Sequence, residues 1–107
     1  MTRLFIDDVR FPEADGDGND WDIVRSSAEA ILYVTKYGVP NYISLDHDLG
    51  GDDTSIVFIN WLTDRLIDGD EKLPQNFAYA VHSQNPVGAE NIRSKMNQIL
   101  LHFGGYY

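Results

Sequence analysis

The chain has no cysteine, which excludes disulfides and thiolate metal ligands and fits a reducing compartment. Basic residues are scarce: 8 Lys plus Arg stand against 17 Asp plus Glu, for a formal charge of −9. A surface that tracks a phosphate backbone needs clustered cations, so no extended nucleic-acid interface is expected. A nucleotide-sized anion is not excluded, because a metal ion and one or two arginines reverse the field locally. No apolar run approaches the roughly 18 residues of a membrane span, and no signal-peptide core stands out. Walker loop, zinc-protease helix and nucleophile elbow are all missing. The expectation is a soluble, cytoplasmic protein with no membrane partner.

Against these absences, the 107 residues are 43% hydrophobic and include 5 Phe, 6 Tyr and 2 Trp. That suffices for one domain, residues 1–107, with a real core, and argues against disorder.

Residues 3–8 read as a first strand that ends in Asp7-Asp8, and residues 11–20 as a polar, Gly-rich loop. Trp21 to Arg25 alternates like a half-buried strand. Ser26-Ser27-Ala28-Glu29 is a capping-box pattern that opens a helix of about a dozen residues. The stripe of that helix is read as Ala28, Ile31, Leu32 and Thr35, with Gly38 and Pro40 as its stop. A third strand spans roughly 42–46, and a helix from about 54 to 68 carries Ile56, Ile59, Leu62 and Leu66. Phe77 to Val81 is a fourth strand. Asn85-Pro86 then supplies an N-cap and a proline at the first helical position. The last helix presents Ile92, Met96, Ile99, Leu100 and Phe103 and stops at Gly104-Gly105.

Alternating strands and helices imply an α/β domain, with a mostly parallel sheet of about four strands and three helices packed over it. The link between strands one and two is short enough to leave a parallel crossover and a hairpin both open. Strands one, three and four are expected side by side. Their carboxyl ends then gather Asp7 and Asp8, Asp46, His47 and Asp48, and His82 and Ser83, where ligands bind in such sheets.

Two unit charges 4 Å apart repel by about 4 kcal/mol at an effective dielectric of 20. Converging carboxylates therefore need a cation, shared protons or separation. Mg²⁺ or Mn²⁺ suits Asp7, Asp8, Asp46 and Asp48, since the ligands are hard oxygens. Any one of these acids also fits a turn cap. His47 and His82, at strand ends, are candidates for acid–base work or ligation, whereas His102 reads as structural or exposed. Asn85 fits either N-capping or anion binding. Arg10 and Arg25 fit a phosphate clamp as well as neutralisation of nearby acids. Asp15 to Asp20 hints at a calcium loop but fails the EF-hand test, with Asp20 where glycine is required and Ser26 where glutamate is required. Trp21 is read as core or pocket wall.

The run Leu4-Phe5-Ile6-Asp7-Asp8-x-Arg10-x-Pro12, then Trp21 to Arg25, Ser44 to Gly50, and His82-Ser83-x-Asn85-Pro86-x-Gly88 resembles the cyclic-phosphate processing receiver domains of bacteria and phages. The likeness covers nearly the whole chain. It implies a small receiver-like (flavodoxin-like) three-layer fold. More distantly, the chain is similar to response-regulator receivers. That likeness places their acidic pair on Asp7 and Asp8, their phosphoacceptor on Asp46 and their Thr/Ser position on Ser83. No lysine stands in for theirs, no fifth strand is evident, and His47, Asp48 and His82 are additions. Ser55 stands where the closer family commonly has glycine, a change expected to affect the pocket mouth.

The resemblance implies a metal-dependent phosphoesterase acting on a cyclic phosphate, such as a 2′,3′-cyclic nucleotide, an RNA end or a cyclic nucleotide signal. Asp7, Asp8 and Asp46 would hold the metal, with Asp48 assisting. His82, His47 and Asp46 would be catalytic: His82 protonates the leaving oxygen, His47 orients the water, and Asp46 is an alternative nucleophile to water. Ser83, Asn85, Arg10 and Arg25 would bind substrate. The other reading is a non-catalytic receiver-like module that binds a phosphorylated ligand or protein partner. Phage counter-defence is a context for either.

Overall fold

The computed structural model describes residues 2–11 and 21–103. The elements follow in the expected order: β1 (Arg3–Ile6), β2 (Trp21–Val24), α1 (Ser27–Tyr37), β3 (Tyr42–Leu45), α2 (Ser55–Asp68), β4 (Ala78–Val81) and α3 (Pro86–Phe103). β1 stops at Ile6, short of the expected 3–8, because Asp7 already turns the chain. Most of the polar loop, the Asp15 to Asp20 stretch and the Gly104-Gly105 stop lie outside the described residues.

All pairings are parallel, in the order β2-β1-β3-β4. The question left open between hairpin and crossover is thereby decided for the crossover. From β1 the chain moves outward to β2 on one side and later to β3 on the other. The end of β1 beside β3 is therefore the switch point where such sheets open a crevice. Ile6 pairs with Leu45, and Leu45 with Val81. One step further, Asp46 N–H donates to Ile6 O (2.9 Å) and His82 N–H to Leu45 O (3.0 Å). Register alone thus sets Asp7, Asp46 and His82 abreast.

One core fills the helical side. Leu4, Ile6, Val24, Ile43 and Leu45 meet Ala30 and Val34 of α1, Phe58, Ile59, Leu62 and Leu66 of α2, and Ile92, Met96 and Ile99 of α3. Each such large side chain stabilises by about 1.5–3 kcal/mol when fully buried. Because strand side chains alternate, Phe5, Trp21, Tyr42 and Ser44 face the other way. There Phe5 meets Trp21 edge-on at 5.7 Å, Trp21 meets Tyr42 at 5.6 Å, and Arg3 lies over the Trp21 ring. The three helices all join the same core, so among the described residues the second outer layer of a three-layer arrangement is not formed by helix.

The α2 and α3 stripes hold, with Phe58 and Gly88 added to the buried faces. The α1 stripe does not. Ala28, Leu32 and Thr35 are exposed, and the buried positions are Ser27, Ala30 and Val34, with Ile31 half-buried beside them. Asp53 holds Ser27 through its backbone N–H (2.8 Å) and hydroxyl (2.5 Å), which turns the small residues inward. Exposed apolar residues such as Leu32 are ordinary on a surface and misled the periodicity. Half of the capping box forms: Ser26 Oγ accepts from Glu29 N–H (3.1 Å), while the Glu29 carboxylate reaches one residue further back, to the Arg25 N–H (2.7 Å). No helix among the described residues is long and apolar enough to cross a membrane.

Candidate functional site

Asp7 is fully buried, and both of its carboxylate oxygens are engaged. Oδ1 accepts from the backbone N–H groups of Val9 (3.0 Å) and Arg10 (2.9 Å), which closes the turn after β1. Oδ2 meets His82 Nε2 (3.0 Å) and forms an ion pair with Arg10 Nε (3.2 Å). Burial alone would raise its pKa. The hydrogen bonds from Arg10 and Val9, then His82 and the charge of Arg10, outweigh burial and hold Asp7 below the usual carboxylate value. Asp7 is thus a turn cap and an ionised acid at once.

Asp46 is its opposite. It is buried, and among the described residues its side chain has one ion pair, a long one from Oδ2 to Arg10 Nη2 at 3.5 Å, beside the backbone N–H of His47. Burial, and next the charge of Asp7, push its pKa above the ordinary value, although Arg10 and His82 pull the other way. The Ser55 hydroxyl donates to the Asp46 carbonyl, and Ser55 N–H donates to His47 O (3.0 Å). Ser55 is fully buried, so it braces the strand end from behind and does not shape the pocket mouth as expected.

Each histidine is clamped differently. The His82 ring lies flat on Phe5, with centroids 4.4 Å apart and planes within 6°. Its Nδ1 meets Ser44 Oγ at 2.7 Å, and its Nε2 meets Asp7. His47 Nδ1 meets Asp48 Oδ1 at 3.0 Å, and the ring rests against Gly88 of α3. Asn85 caps that helix: its Oδ1 accepts from Gly88 N–H (3.0 Å), and its Nδ2 reaches Asp48 Oδ2 at 3.5 Å. Ser83 Oγ accepts from Asn85 N–H (3.0 Å), fixing the approach to the cap.

A crevice of about 320 Å³ opens above the strand ends, walled by Asp8, Arg10, Asp46, Asp48, Gln84 and Asn85. Asp8 has no partner among the described residues. It faces Gly50, whose φ of 92° suits glycine and where a Cβ would stand 3.7 Å from Asp8 Oδ2. Gln84 also has no partner there. It was not singled out from the sequence, although its place between Ser83 and Asn85 in the His-Ser-x-Asn-Pro run was the available signal. Ligand atoms of Asp7, Asp46 and His82 lie within 4.8 Å of one another, just beneath.

Several expected residues lie off the crevice wall. Arg25 Nη1 donates to the Asp7 and Arg10 carbonyls, and its guanidinium stacks on Phe11. It pins the turn. Neither His47, His82 nor Ser83 is among the lining residues. Trp21 belongs to the sheet face opposite the helices, and His102 is exposed on α3. His102 borders a larger cavity of about 510 Å³ between α2 and α3, which holds no acid cluster and lies away from the strand ends.

A parallel sheet ordered 2-1-3-4, with acids at the ends of β1 and β3, defines a receiver-like α/β domain of the flavodoxin type. The chain belongs to the cyclic-phosphate processing receiver domain family, whose model matches residues 2–98. No curated protein and no solved structure matches it.

Proposed function

We propose that this domain is a divalent-metal phosphoesterase that opens a cyclic phosphate, a 2′,3′-cyclic nucleotide or RNA end being the chemistry that fits best. The observation that carries this reading is Asp46: a buried carboxylate at a crevice wall, destabilised as a charge by burial and by Asp7, whose one ion pair among the described residues is a long one to Arg10. Asp8 and Asp48 share the wall, so the donor set is hard oxygen and the local charge is short of cations. Asp8, Asp46 and Asp48 would hold Mg²⁺ or Mn²⁺. Asp7, held by three hydrogen bonds and the Arg10 ion pair, supports them from below. The cation, when bound, supplies charge neutralisation for the phosphoryl oxygens and a more acidic water.

The chain's own groups do the rest. Arg10 keeps Nη1 without a partner among the described residues, and this nitrogen faces a phosphate as a donor. Gln84 offers an unpaired amide to the remainder of the ligand. Water adds to phosphorus, one phosphoester bond breaks, and the leaving oxygen takes a proton to give a phosphomonoester. Both nitrogens of His82 are engaged, so His47, held by Asp48, is the better proton carrier of the two.

One observation favours a second reading, a module that binds without turnover: neither histidine lines the crevice. Phosphorus NMR on a panel of cyclic mono- and dinucleotides with Mg²⁺ or Mn²⁺, beside an Asp46→Asn control, separates the two. A new phosphomonoester resonance, absent in the control, is the expected result. Broadened ligand lines without a new resonance would select the binding module.

A further inference from the structure

Ser44 is a hydroxyl inside β3, between Ile43 and Leu45. A strand interior has no use for it as such, since Val or Ile would pack better there. The residue is buried, and its Oγ has one side-chain partner, His82 Nδ1 at 2.7 Å. On the far side of the same ring, Nε2 meets Asp7 Oδ2 at 3.0 Å, and Phe5 supports the ring from below. The imidazole is therefore fixed at three points: two hydrogen bonds and one stack.

We propose that Ser44 is a positioning residue for the candidate site: its hydroxyl donates to His82 Nδ1, holds the ring in the Nε2–H tautomer, and aims that N–H at Asp7. The donor assignment follows from the acceptors. Asp7 takes two backbone N–H groups on Oδ1 and faces Arg10 Nε with Oδ2, so it stands as an acceptor, and in the neutral ring the hydrogen between the two belongs to Nε2. The remaining ring nitrogen then offers a lone pair, and the Ser44 hydroxyl points its hydrogen there. Buried polar groups left without such partners are costly, which is why the arrangement locks.

The consequence reaches the crevice. Asp7 Oδ2 is shared by His82 Nε2 and Arg10 Nε, and Arg10 Nη2 extends to Asp46. A continuous string, Ser44–His82–Asp7–Arg10–Asp46, runs from the sheet face to the crevice wall. A flipped ring would release Oδ2 and let the guanidinium shift, changing how much of the Asp46 charge is left for a cation. Outer partners of this sort typically change metal affinity 10- to 100-fold when removed. This consequence rests on the proposed cation site; the tautomer does not.

The test is long-range ¹⁵N NMR of the histidine rings in the full chain at neutral pH, for wild type, Ser44→Ala and Ser44→Thr, paired with Mg²⁺ titration by calorimetry. Wild type and Ser44→Thr, which keeps the hydroxyl, should show His82 with a bare Nδ1 and a protonated Nε2. Ser44→Ala should show shifts averaged between two tautomers and Mg²⁺ binding weakened by about tenfold, with Ser44→Thr restoring both. A wild-type ring in any other protonation pattern, or unchanged ring shifts in Ser44→Ala, would overturn the role of Ser44. If wild type binds no Mg²⁺, the cation reading fails and the ring spectra still decide for or against Ser44.

Discussion

Gly88 lies directly under the His47 imidazole: a Cβ on residue 88 would stand 2.3 Å from His47 Cγ and 2.7 Å from Nδ1. The third residue of α3 is thus glycine because a ring occupies its side-chain space. Gly88→Ala gains about 1 kcal/mol of helix propensity, while forcing a ring into packed surroundings costs typically 1–3 kcal/mol. Net destabilisation is expected, with the His47–Asp48 contact displaced. Urea unfolding measures the first, and a stability gain would show that the ring yields freely.

Asp46 and Asp7 pull the pH dependence of stability in opposite directions. Asp46, raised by burial and by Asp7, favours the folded state while protonated, and that contribution is lost as pH rises from 3.8 through its folded value. Asp7 is lowered, so its contribution is present above 3.8 and lost as pH falls through its folded value. Without added cation, Asp46→Asn should unfold at higher urea than wild type at neutral pH, and the difference should shrink as pH falls through the folded value of Asp46 towards 3.8. A less stable Asn variant at neutral pH in chelator would contradict the electrostatic account.

Cation binding should register as stability. At about a hundred times its dissociation constant, a bound ligand adds about 2.7 kcal/mol. Mg²⁺ or Mn²⁺ should raise the wild-type melting temperature accordingly. Asp8→Asn and Asp46→Asn should abolish most of that rise. An equal rise in both variants would remove these two carboxylates from the site.

Arg25 is expected to act on the turn rather than on a ligand. Its guanidinium ties the carbonyls of Asp7 and Arg10 together. Charged hydrogen bonds of this kind are worth about 1.5–3 kcal/mol, and Arg25→Ala should lose about that much in denaturant titration. Both bonds leave the one nitrogen Nη1, which a lysine ammonium can imitate, but lysine lacks the guanidinium plane over Phe11, so Arg25→Lys should recover only part. Unchanged stability with lost phosphate binding would restore Arg25 as a ligand contact.

The order of the elements, two of the three strand pairings and the gathering of Asp7, Asp46 and His82 were legible in the chain. They follow from local rules: apolar runs ended by acids, Gly38 and Gly69 as helix stops, Asn85-Pro86 as a helix start. Each rule acts within a few residues, and β–α alternation then leaves few topologies. The inward face of α1 was not legible, because Ser27 is buried by a partner 26 positions away, Asp53. Nor was Ser44, whose meaning depends on a histidine 38 residues later in the chain.

The sequence by itself determined which groups stand at the sheet's carboxyl edge, since strand periodicity and register follow from local pattern and hydrophobic burial. Only the tertiary structure decided what each group does there. Asp7 took donors from the turn beside it, Val9 and Arg10, and a third contact from His82, 75 positions away, while Asp46 was left among the described residues with a long ion pair to Arg10. Arg25 turned to backbone carbonyls, His82 was clamped between Ser44 and Asp7, and Gln84 was left at the crevice without a partner among the described residues. The physical reason is that a carboxylate's charge and a ring's tautomer depend on the few ångströms around them, and those are set only when β1, β3, β4 and α3 have packed together.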